Sequence, residues 1–230
     1  VVVEWAGEGN DQVRSSVSFV LGEHVEQLLL TGTASIDGTG NALDNLLTGN
    51  NATNVLTGGA GNDTYVIDRA TDAVVEKAGE GVDEIRSRAT FTLPVNVENL
   101  VLEGTAAING TGNSIDNRLT GNLASNTLYG GAGDDRIDGG AGADRMYGGA
   151  GNDSYRVNST TDQVFENAGE GIDTVASLSD FTLGNNVENL VLEMNAGRGT
   201  GNAAANELTG SGADNRLEGL GGSDLLRGGP

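Results

Sequence analysis

The sequence contains no cysteine, and it has few of the residues that bind soft metals or stiffen the chain. Among its 230 residues there are 2 prolines and 1 histidine, and aromatic residues make up 4%. Without cysteine the chain has neither a disulfide framework nor a thiolate metal site, and the single His24 excludes a multi-histidine zinc site. Glycine is abundant, with 38 residues, but no three-residue period with proline accompanies it, which excludes a collagen-like chain.

Positive charge is also scarce. The chain has 12 Lys and Arg residues against 33 Asp and Glu residues, which gives a net charge of −21. Such a chain repels nucleic acid and anionic membranes, and cations are its natural partners. Because apolar residues recur at regular positions between the acids, we expect a folded chain rather than a disordered one.

Long hydrophobic runs are absent as well. No apolar stretch approaches the ~18 residues of a membrane-spanning helix. No charged segment followed by an apolar one, as in a signal peptide, opens the sequence. Val1 begins inside a repeat, so we expect the sequence to be a segment of a longer protein, truncated at both ends.

A nine-residue sequence repeat, referred to below as a word, recurs along most of the chain. Residues 130–155 read GGAGDDRID GGAGADRMY GGAGNDSY, and longer copies that begin at Val2, Val74 and Val164 are separated by 74 − 2 = 72 and 164 − 74 = 90 residues. Both separations are multiples of 18. Each word has Asp or Asn at its sixth position and an apolar residue two positions later. We expect these apolar residues to form an inward ladder that includes Leu119, Leu128, Ile137, Met146, Tyr155 and Val164.

Each word divides into a glycine-rich turn and a short strand. The turn G-G-x-G-x-D suits positive φ angles, and x-U-x, where U is a large apolar residue, alternates as a strand does. Stacked words form a parallel sheet, and two words make one coil. We therefore predict an all-β fold, a right-handed parallel β-roll (a β-solenoid) with 18-residue coils and two facing parallel sheets. We expect one continuous roll over 1–230, built from long repeats at 1–57, 58–147 (with an extra coil at 130–147) and 148–230.

The acidic turns need a neutralising partner. Nine ordered residues bury only one large apolar side chain, so burial alone does not offset the lost backbone entropy. A hard cation fits the available ligands, because Asp carboxylates and carbonyls of glycine-rich turns are what Ca²⁺ prefers. We therefore predict Ca²⁺ in the turns.

The word resembles the calcium-binding repeat of the RTX proteins, G-G-x-G-x-D-x-U-x. Residues 58–66, 130–138, 139–147 and 148–156 match it fully, and residues 219–227 match with the second glycine lost. The longer unit, with AGEG-x-D and NVENLVL, resembles the haemolysin-type calcium-binding repeats of large secreted bacterial proteins. The resemblance implies that each ion lies between two turns on the same edge of the roll, eighteen residues apart.

The resemblance also implies the ligands. The carboxylate pairs are Asp135 with Asp153, Asp153 with Asp173, Asp144 with Asp162, and Asp63 with Asp83. The backbone carbonyls are those of Gly130, Ala132, Gly149 and Gly151, with Gly139 and Ala141 on the opposite edge. The pair Asp135 and Asp153 is favoured because both of its turns are intact, whereas Asp83 and Asp173 lie on altered turns.

Other polar residues of the turns have a different interpretation. Asn stands at the sixth position in six words, at Asn45, Asn54, Asn117, Asn126, Asn206 and Asn215. We interpret these turns as calcium-free or weak sites that are closed by stacked Asn side chains, since an amide both donates and accepts hydrogen bonds. For the acids Glu76, Glu80, Glu98, Glu166, Glu170 and Glu188, a solvated turn position is favoured over ligation.

The resemblance implies a calcium-binding structural module that folds on Ca²⁺ binding outside the cell. It implies export by type I secretion machinery and a secreted or cell-surface location. It also implies that the module supports the secretion and folding of a larger secreted enzyme, toxin or adhesin. With one histidine, no cysteine and no nucleophile motif, we expect no enzymatic activity.

The alternative is an adhesin or polysaccharide-binding module that uses an exposed face of the roll. Arg118, Arg136 and Arg145 hint at an outward row, but the outward Tyr129 and Tyr147 are too scattered for a sugar-stacking platform. A simple calcium buffer is a third possibility.

Overall fold

The computed structural model describes residues 2–229, and over that range the regular structure consists of short β-strands without a helix. Accordingly, nothing in this range forms a helix able to cross a membrane. The chain divides into two compact units, unit 1 (Val1–Glu103) and unit 2 (Gly104–Pro230). The single continuous roll over 1–230 and its right-handedness stay predictions.

In unit 1, the strands from β1 to β9 alternate between two sheets. The strands are β1 (Gln12–Ser15), β2 (Phe19–Val20), β3 (Gln27–Leu30), β4 (Gly38–Thr39), β5 (Leu46–Thr48), β6 (Val55–Thr57), β7 (Thr64–Ile67), β8 (Ala73–Val75), β9 (Glu84–Ser87), β10 (Phe91–Thr92) and β11 (Asn99–Leu102). The odd-numbered strands form one sheet in sequence order, and β2, β4, β6 and β8 form the other. All of these pairings are parallel.

Unit 2 follows the same plan. Its strands are β12 (Gly110–Thr111), β13 (Arg118–Thr120), β14 (Thr127–Ala132), β15 (Arg136–Asp138), β16 (Arg145–Ala150), β17 (Ser154–Val157), β18 (Gln163–Phe165), β19 (Thr174–Ser177), β20 (Phe181–Thr182), β21 (Asn189–Leu192), β22 (Arg198–Thr200), β23 (Glu207–Thr209), β24 (Arg216–Glu218) and β25 (Leu225–Arg227). The odd-numbered strands from β13 to β25 form one parallel sheet. The even-numbered strands form two shorter sheets, β12–β18 and β20–β24. The all-β parallel solenoid is confirmed.

The inward ladder is also confirmed. Leu119 pairs with Ile137 and Ile137 with Tyr155 in the odd-strand sheet, so that each residue faces its counterpart two words further along the chain. In the even-strand sheet, Leu128 pairs with Met146 and Met146 with Val164. All six side chains are buried. Their stacking puts a continuous apolar column between the sheets in this segment, because each of these six words contributes one large residue to the inside.

Several coils depart from the regular period of two words. Tyr155 pairs with Val175, two positions later than the period would place its partner, because the turn before β19 carries a two-residue insertion. Val175 then pairs with Leu190, three positions earlier than the period would place it. The corresponding pairs in unit 1 are Tyr65 with Ile85 and Ile85 with Leu100. The 18-residue coil is therefore the prevailing period, and a longer coil followed by a shorter one interrupts it at this place in each unit. Unit 1 has two further irregular coils, since Val13 pairs with Leu28 and Leu28 with Leu47, at 28 − 13 = 15 and 47 − 28 = 19 residues.

Candidate metal centres

The glycine turns bring the backbones of neighbouring coils into direct contact. Gly149 and Gly151 have φ angles of +102° and +139°, which L-residues with a side chain rarely adopt. A Cβ atom on Gly149 would collide with the carbonyl oxygen of Gly131, and one on Gly151 with that of Gly133. The turns therefore stack closely only because glycine occupies these positions, and carbonyl oxygens lie at the contact.

The aspartates at the sixth position form a hydrogen-bonded ladder along each edge. The backbone N–H of Asp135 donates to Oδ1 of Asp153 at 2.7 Å, and that of Asp153 to Oδ1 of Asp173 at 2.8 Å. On the opposite edge, the N–H of Asp144 donates to Oδ1 of Asp162 at 3.1 Å.

The same contact joins the Asp63 N–H to Oδ1 of Asp83 at 2.8 Å in unit 1. All four expected carboxylate pairs are thus brought together. The turns that carry Gly130 and Ala132 lie beside the turn of Gly149, since Gly131 and Ala132 pair with Gly149 and Ala150. Ligation by these groups, by Gly151, and by Gly139 and Ala141 on the other edge stays a prediction.

The second oxygen of several of these carboxylates has no partner. Within residues 2–229, Oδ2 of Asp63, Asp135, Asp144 and Asp153 is buried without a hydrogen bond. A buried, unpartnered carboxylate oxygen is strongly unfavourable, because the group loses water and gains nothing in return. A hard cation between the turns would satisfy these oxygens, so the residues present fit Ca²⁺.

Burial also changes the ionisation of these acids. Desolvation raises the pKa of Asp135 and of Asp63 from 3.8 to about 7, and nearby carboxylates add to the rise while backbone hydrogen bonds oppose it. The pKa values of Asp144 and Asp153 rise to about 6 for the same reasons. A bound cation favours the ionised form of its ligands, so cation binding and proton release are coupled at these turns.

A glutamate joins the aspartate pair at one place in each unit. One oxygen from each of Asp63, Glu76 and Asp83 lies within 4.8 Å of the others, and Asp153, Glu166 and Asp173 form an equivalent group. Glu76 is 6% exposed, and Oε2 of both glutamates is buried without a partner. The interpretation of Glu76 as a solvated turn residue is therefore wrong, and Glu166, although half-buried as a residue, also has one oxygen out of contact with water.

The reason lies in the alternation of β8 and β18. Val74 points inward, Val75 points outward, and Glu76 continues the alternation one residue beyond the strand, so that its side chain enters the coil. There the hydroxyl of Tyr65 donates a hydrogen bond to Oε1 of Glu76. Burial raises the pKa of Glu76 to about 8 and that of Glu166 to about 7. The two-residue period of the strand points toward this placement, but it is not binding beyond the strand end, so the sequence alone does not identify the two glutamates.

The remaining glutamates of the altered turns are only partly exposed. Oε2 of Glu98 accepts the backbone N–H of Asp83 at 2.8 Å, and Oε2 of Glu188 accepts that of Asp173 at 2.8 Å. These two residues therefore continue the aspartate ladder into the shorter coil, where the sixth-position aspartate is missing.

The turns that carry Asn are closed in another way. Nδ2 of Asn41 donates to the carbonyls of Gly22 and Val25, both at 2.7 Å, and Oδ1 of Asn45 accepts the N–H of Asn41 at 2.7 Å. No residue from 41 to 44 has a positive φ. Amide donors thus bind the carbonyls of the preceding coil, which is the role predicted for a cation in the glycine turns.

Comparisons with known proteins agree with this chemistry. The family model of the RTX calcium-binding nonapeptide repeat (4 copies) matches residues 39–69, 120–155 and 200–230. Asp63, Asp135, Asp144 and Asp153 lie inside these segments, and Asp83, Asp162 and Asp173 lie outside them. RTX calcium-binding nonapeptide repeats bind Ca²⁺, which confirms the expected cation.

A relative is similar over a smaller part of the chain. It is the endo-1,3-1,4-beta-glycanase ExsH of Rhizobium meliloti (strain 1021), which is 37% identical over 83 residues. These residues are 36% of this chain and 18% of the relative. The chain therefore corresponds to a small fraction of that protein.

Proposed function

Since this chain is a parallel β-roll protein of the RTX calcium-binding repeat type, we propose that it is a structural module that folds on Ca²⁺ binding outside the cell. The observation that carries the proposal is the set of buried, unpartnered oxygens on paired aspartates. In the absence of a cation these oxygens oppose folding. With Ca²⁺ bound between the turns, they become ligands.

The chain's own residues prepare the sites. The N–H of Asp135 holds Oδ1 of Asp153 and thereby orients the whole carboxylate, so that Oδ2 is directed away from the backbone donor. The glycines allow the turns to approach until their carbonyl oxygens lie at the contact between coils. Ca²⁺, when bound, supplies the positive charge that these oxygens lack.

Calcium concentration then controls folding. A ligand that binds only the folded state stabilises it by RT ln(1 + [L]/Kd), which is about 2.7 kcal/mol at a hundredfold excess over Kd. Low calcium inside the cell keeps the glycine-turn coils open, and higher calcium outside closes them. This supports export through type I secretion machinery, a secreted or cell-surface location, and assistance to the folding of a larger protein. RTX repeats are structural, and the activity in the relative's name belongs to that relative.

Circular dichroism of the full chain in a calcium chelator and then in millimolar calcium tests the proposal. We expect the β signal to increase when calcium is added, and Asp135→Asn together with Asp153→Asn to raise the calcium needed. The matched control is Asp214→Asn, which removes the same kind of charge at an exposed position. A full, calcium-independent β signal in chelator would refute the proposal.

A specific observation favours polysaccharide binding as a second candidate function. The rings of Tyr129, Tyr147 and Phe165 stack on successive even-numbered strands, with both centroid distances 4.7 Å. The expectation that Tyr129 and Tyr147 are too scattered is thus wrong, because they are adjacent and Phe165 extends the stack. Arg145 lies on the same sheet, whereas Arg118 and Arg136 lie on the other sheet, so the three arginines form no single row.

The end of the stack adjoins a cleft. Tyr147 covers one face of Phe165, and Phe165 also lines a cleft of about 810 Å³ together with Gln163, Asp180 and Arg198. An aromatic ring beside a few hydrogen-bonding side chains is the usual composition of a small-ligand site, which a sugar unit can occupy. The corresponding cleft of unit 1 is about 320 Å³ and has Ala73 at the position of Gln163.

A glycan array in calcium separates this candidate from a pure scaffold. We expect Phe165→Ala to abolish glycan binding without a change in the calcium-dependent β signal. Val75→Ala, the corresponding substitution in unit 1, is expected to leave binding intact. A wild-type chain that binds no glycan would remove this candidate and leave the first one standing.

A further inference from the structure

We propose that Asp63, Glu76 and Asp83, and likewise Asp153, Glu166 and Asp173, form a second class of cation site in this chain. We refer to them as the three-carboxylate sites. The inference rests on the proposed calcium function and adds that a glutamate from the coil interior is a ligand. These sites bind Ca²⁺ more tightly than the two-aspartate sites and prefer a trivalent lanthanide to Ca²⁺.

The first support is the set of oxygens without a partner. Oδ2 of Asp63 and Oε2 of Glu76 are both buried and unpartnered, and the two side chains belong to one cluster. Asp63 has no exposed surface at all. An acidic cluster on a surface is satisfied by water, but these oxygens have no access to it, so a cation is the partner that their chemistry requires.

The second support is that the same tyrosine–glutamate hydrogen bond occurs in both units. The hydroxyl of Tyr155 donates a hydrogen bond to Oε1 of Glu166, as that of Tyr65 does to Glu76. Each tyrosine is fully buried and therefore fixes the glutamate in one orientation. With Oε1 engaged, Oε2 is the oxygen left to bind a cation.

The third support is the space that glycine keeps open beside the cluster. A Cβ atom on Gly58 would collide with Oδ2 of Asp63 and with the hydroxyl of Tyr65. In unit 2, a Cβ atom on Gly148 would collide with Oδ2 of Asp153 and with the hydroxyl of Tyr155. Glu76 and Glu166 stand one coil after these glycines, at the first position of the next turn on the same edge. The glycine of one coil thus leaves room beside the cluster, and the next coil places a glutamate carboxylate there.

The other two pairs lack this third acid. For Asp135 and Asp153, the first position of the second turn is Gly148, and for Asp144 and Asp162 it is Val157. Among the described residues, the two three-carboxylate sites are the groups in which three acidic oxygens converge. Their formal charge is −3 rather than −2, and calcium affinity in proteins rises with the number of charged ligands and the rigidity of the site. A trivalent ion gains most from the extra charge.

Terbium luminescence, excited through tyrosine, tests the inference on the full chain. Tyr65 and Tyr155 contact the glutamates of the three-carboxylate sites, so a Tb³⁺ ion bound there is close to a sensitiser. We expect a tight class of Tb³⁺ sites that calcium displaces only at large excess. Glu76→Gln with Glu166→Gln should weaken this class at least tenfold. Glu8→Gln with Glu23→Gln, which removes two exposed charges, should leave it unchanged.

Two further measurements separate the possible failures. The single variants Glu76→Gln and Glu166→Gln are each expected to remove one tight Tb³⁺ ion, which keeps the test valid if the double variant does not fold. Asp144→Asn with Asp162→Asn should leave the tight class intact. Titrations of Glu76→Gln and Glu166→Gln that match the wild type would overturn this inference, while calcium-induced folding would still support the proposed function. A chain that folds without calcium would instead refute the proposed function.

Discussion

The backbone N–H of Asp135 donates a 2.7 Å hydrogen bond to Oδ1 of Asp153, one coil further along the chain. The bond joins two successive turns on the same edge and leaves Oδ2 of Asp153 buried without a partner. Asp153 stands in the same relation to Asp173, since its N–H donates to Oδ1 of Asp173 at 2.8 Å, so Asp153 is bonded to the turn before its own and to the turn after it. The consequences of this arrangement can be measured.

Asp153→Asn should affect more calcium than Asp144→Asn. Asp153 belongs to two of the expected pairs, whereas Asp144 belongs to one, and an amide keeps the hydrogen bond but lacks the charge. We expect calorimetry to show two weakened ions for Asp153→Asn and one for Asp144→Asn. Each tenfold loss of affinity is about 1.4 kcal/mol. An equal effect of the two substitutions would argue against Asp153 as a shared ligand.

The calcium-free chain should be more stable at pH 5 than at pH 8. The folded-state pKa of Asp135 is raised from 3.8 to about 7, so the folded form binds the proton more tightly than the unfolded form. The associated stability is fully present below about pH 4 and is lost as the pH rises to about 7. Circular dichroism of metal-depleted protein at the two pH values measures it, as a larger β signal at pH 5 than at pH 8.

In saturating calcium the pH dependence should reverse. Protons compete with the cation for the same carboxylates, so calcium affinity should fall as the pH decreases from 8 to 5. Calorimetric titrations at both pH values provide the comparison. A calcium-free stability that increases from pH 5 to pH 8 would contradict the raised pKa values at the turns.

Gly149→Ala should destabilise the calcium-bound roll more than Gly169→Ala. Both glycines have positive φ, of +102° and +83°, so both substitutions introduce backbone strain of about 1–3 kcal/mol. A Cβ atom on Gly149 also collides with the carbonyl of Gly131, whereas one on Gly169 meets nothing within 4 Å. Thermal unfolding in calcium measures the difference, and equal losses would mean that the close contact between turns is unimportant.

Asn206→Ala should destabilise the folded chain to the same extent at two calcium concentrations that both support folding. Nδ2 of Asn206 donates to the carbonyl of Val187 at 3.0 Å, and its Oδ1 accepts the N–H of Asn202 at 2.7 Å. Loss of both bonds at a buried position costs about 1–3 kcal/mol. Chemical unfolding at the two calcium concentrations gives the two values, and a loss that grows with calcium would show that this turn binds the ion.

Much of the site could be predicted from the sequence because its geometry is periodic. Once the word places Asp at its sixth position and two words make a coil, Asp135 and Asp153 must stack on the same edge. The insertion before Asp173 was visible in the same way, since the two added residues leave Tyr155 beside Val175.

The three-carboxylate sites could not be predicted in this way. Glu76 lies outside the strand and in a turn with an insertion, where the two-residue alternation gives no assured direction. Its burial depends on a tyrosine and an aspartate of the preceding coil. The stack of Tyr129, Tyr147 and Phe165 was missed because the word that contains Phe165 lacks the glycines of the repeat.

The sequence by itself determined the period, the inward ladder and the edge on which each aspartate lies, because these follow from local turns repeated at a constant spacing. Only the tertiary structure decided which acids lose contact with water and which of their oxygens stay unpartnered. Burial at a corner of the roll is a property of two stacked coils together, since the second coil covers the first. For this reason Glu76 and Glu166, which look like surface acids in the sequence, lie beside the aspartate pairs.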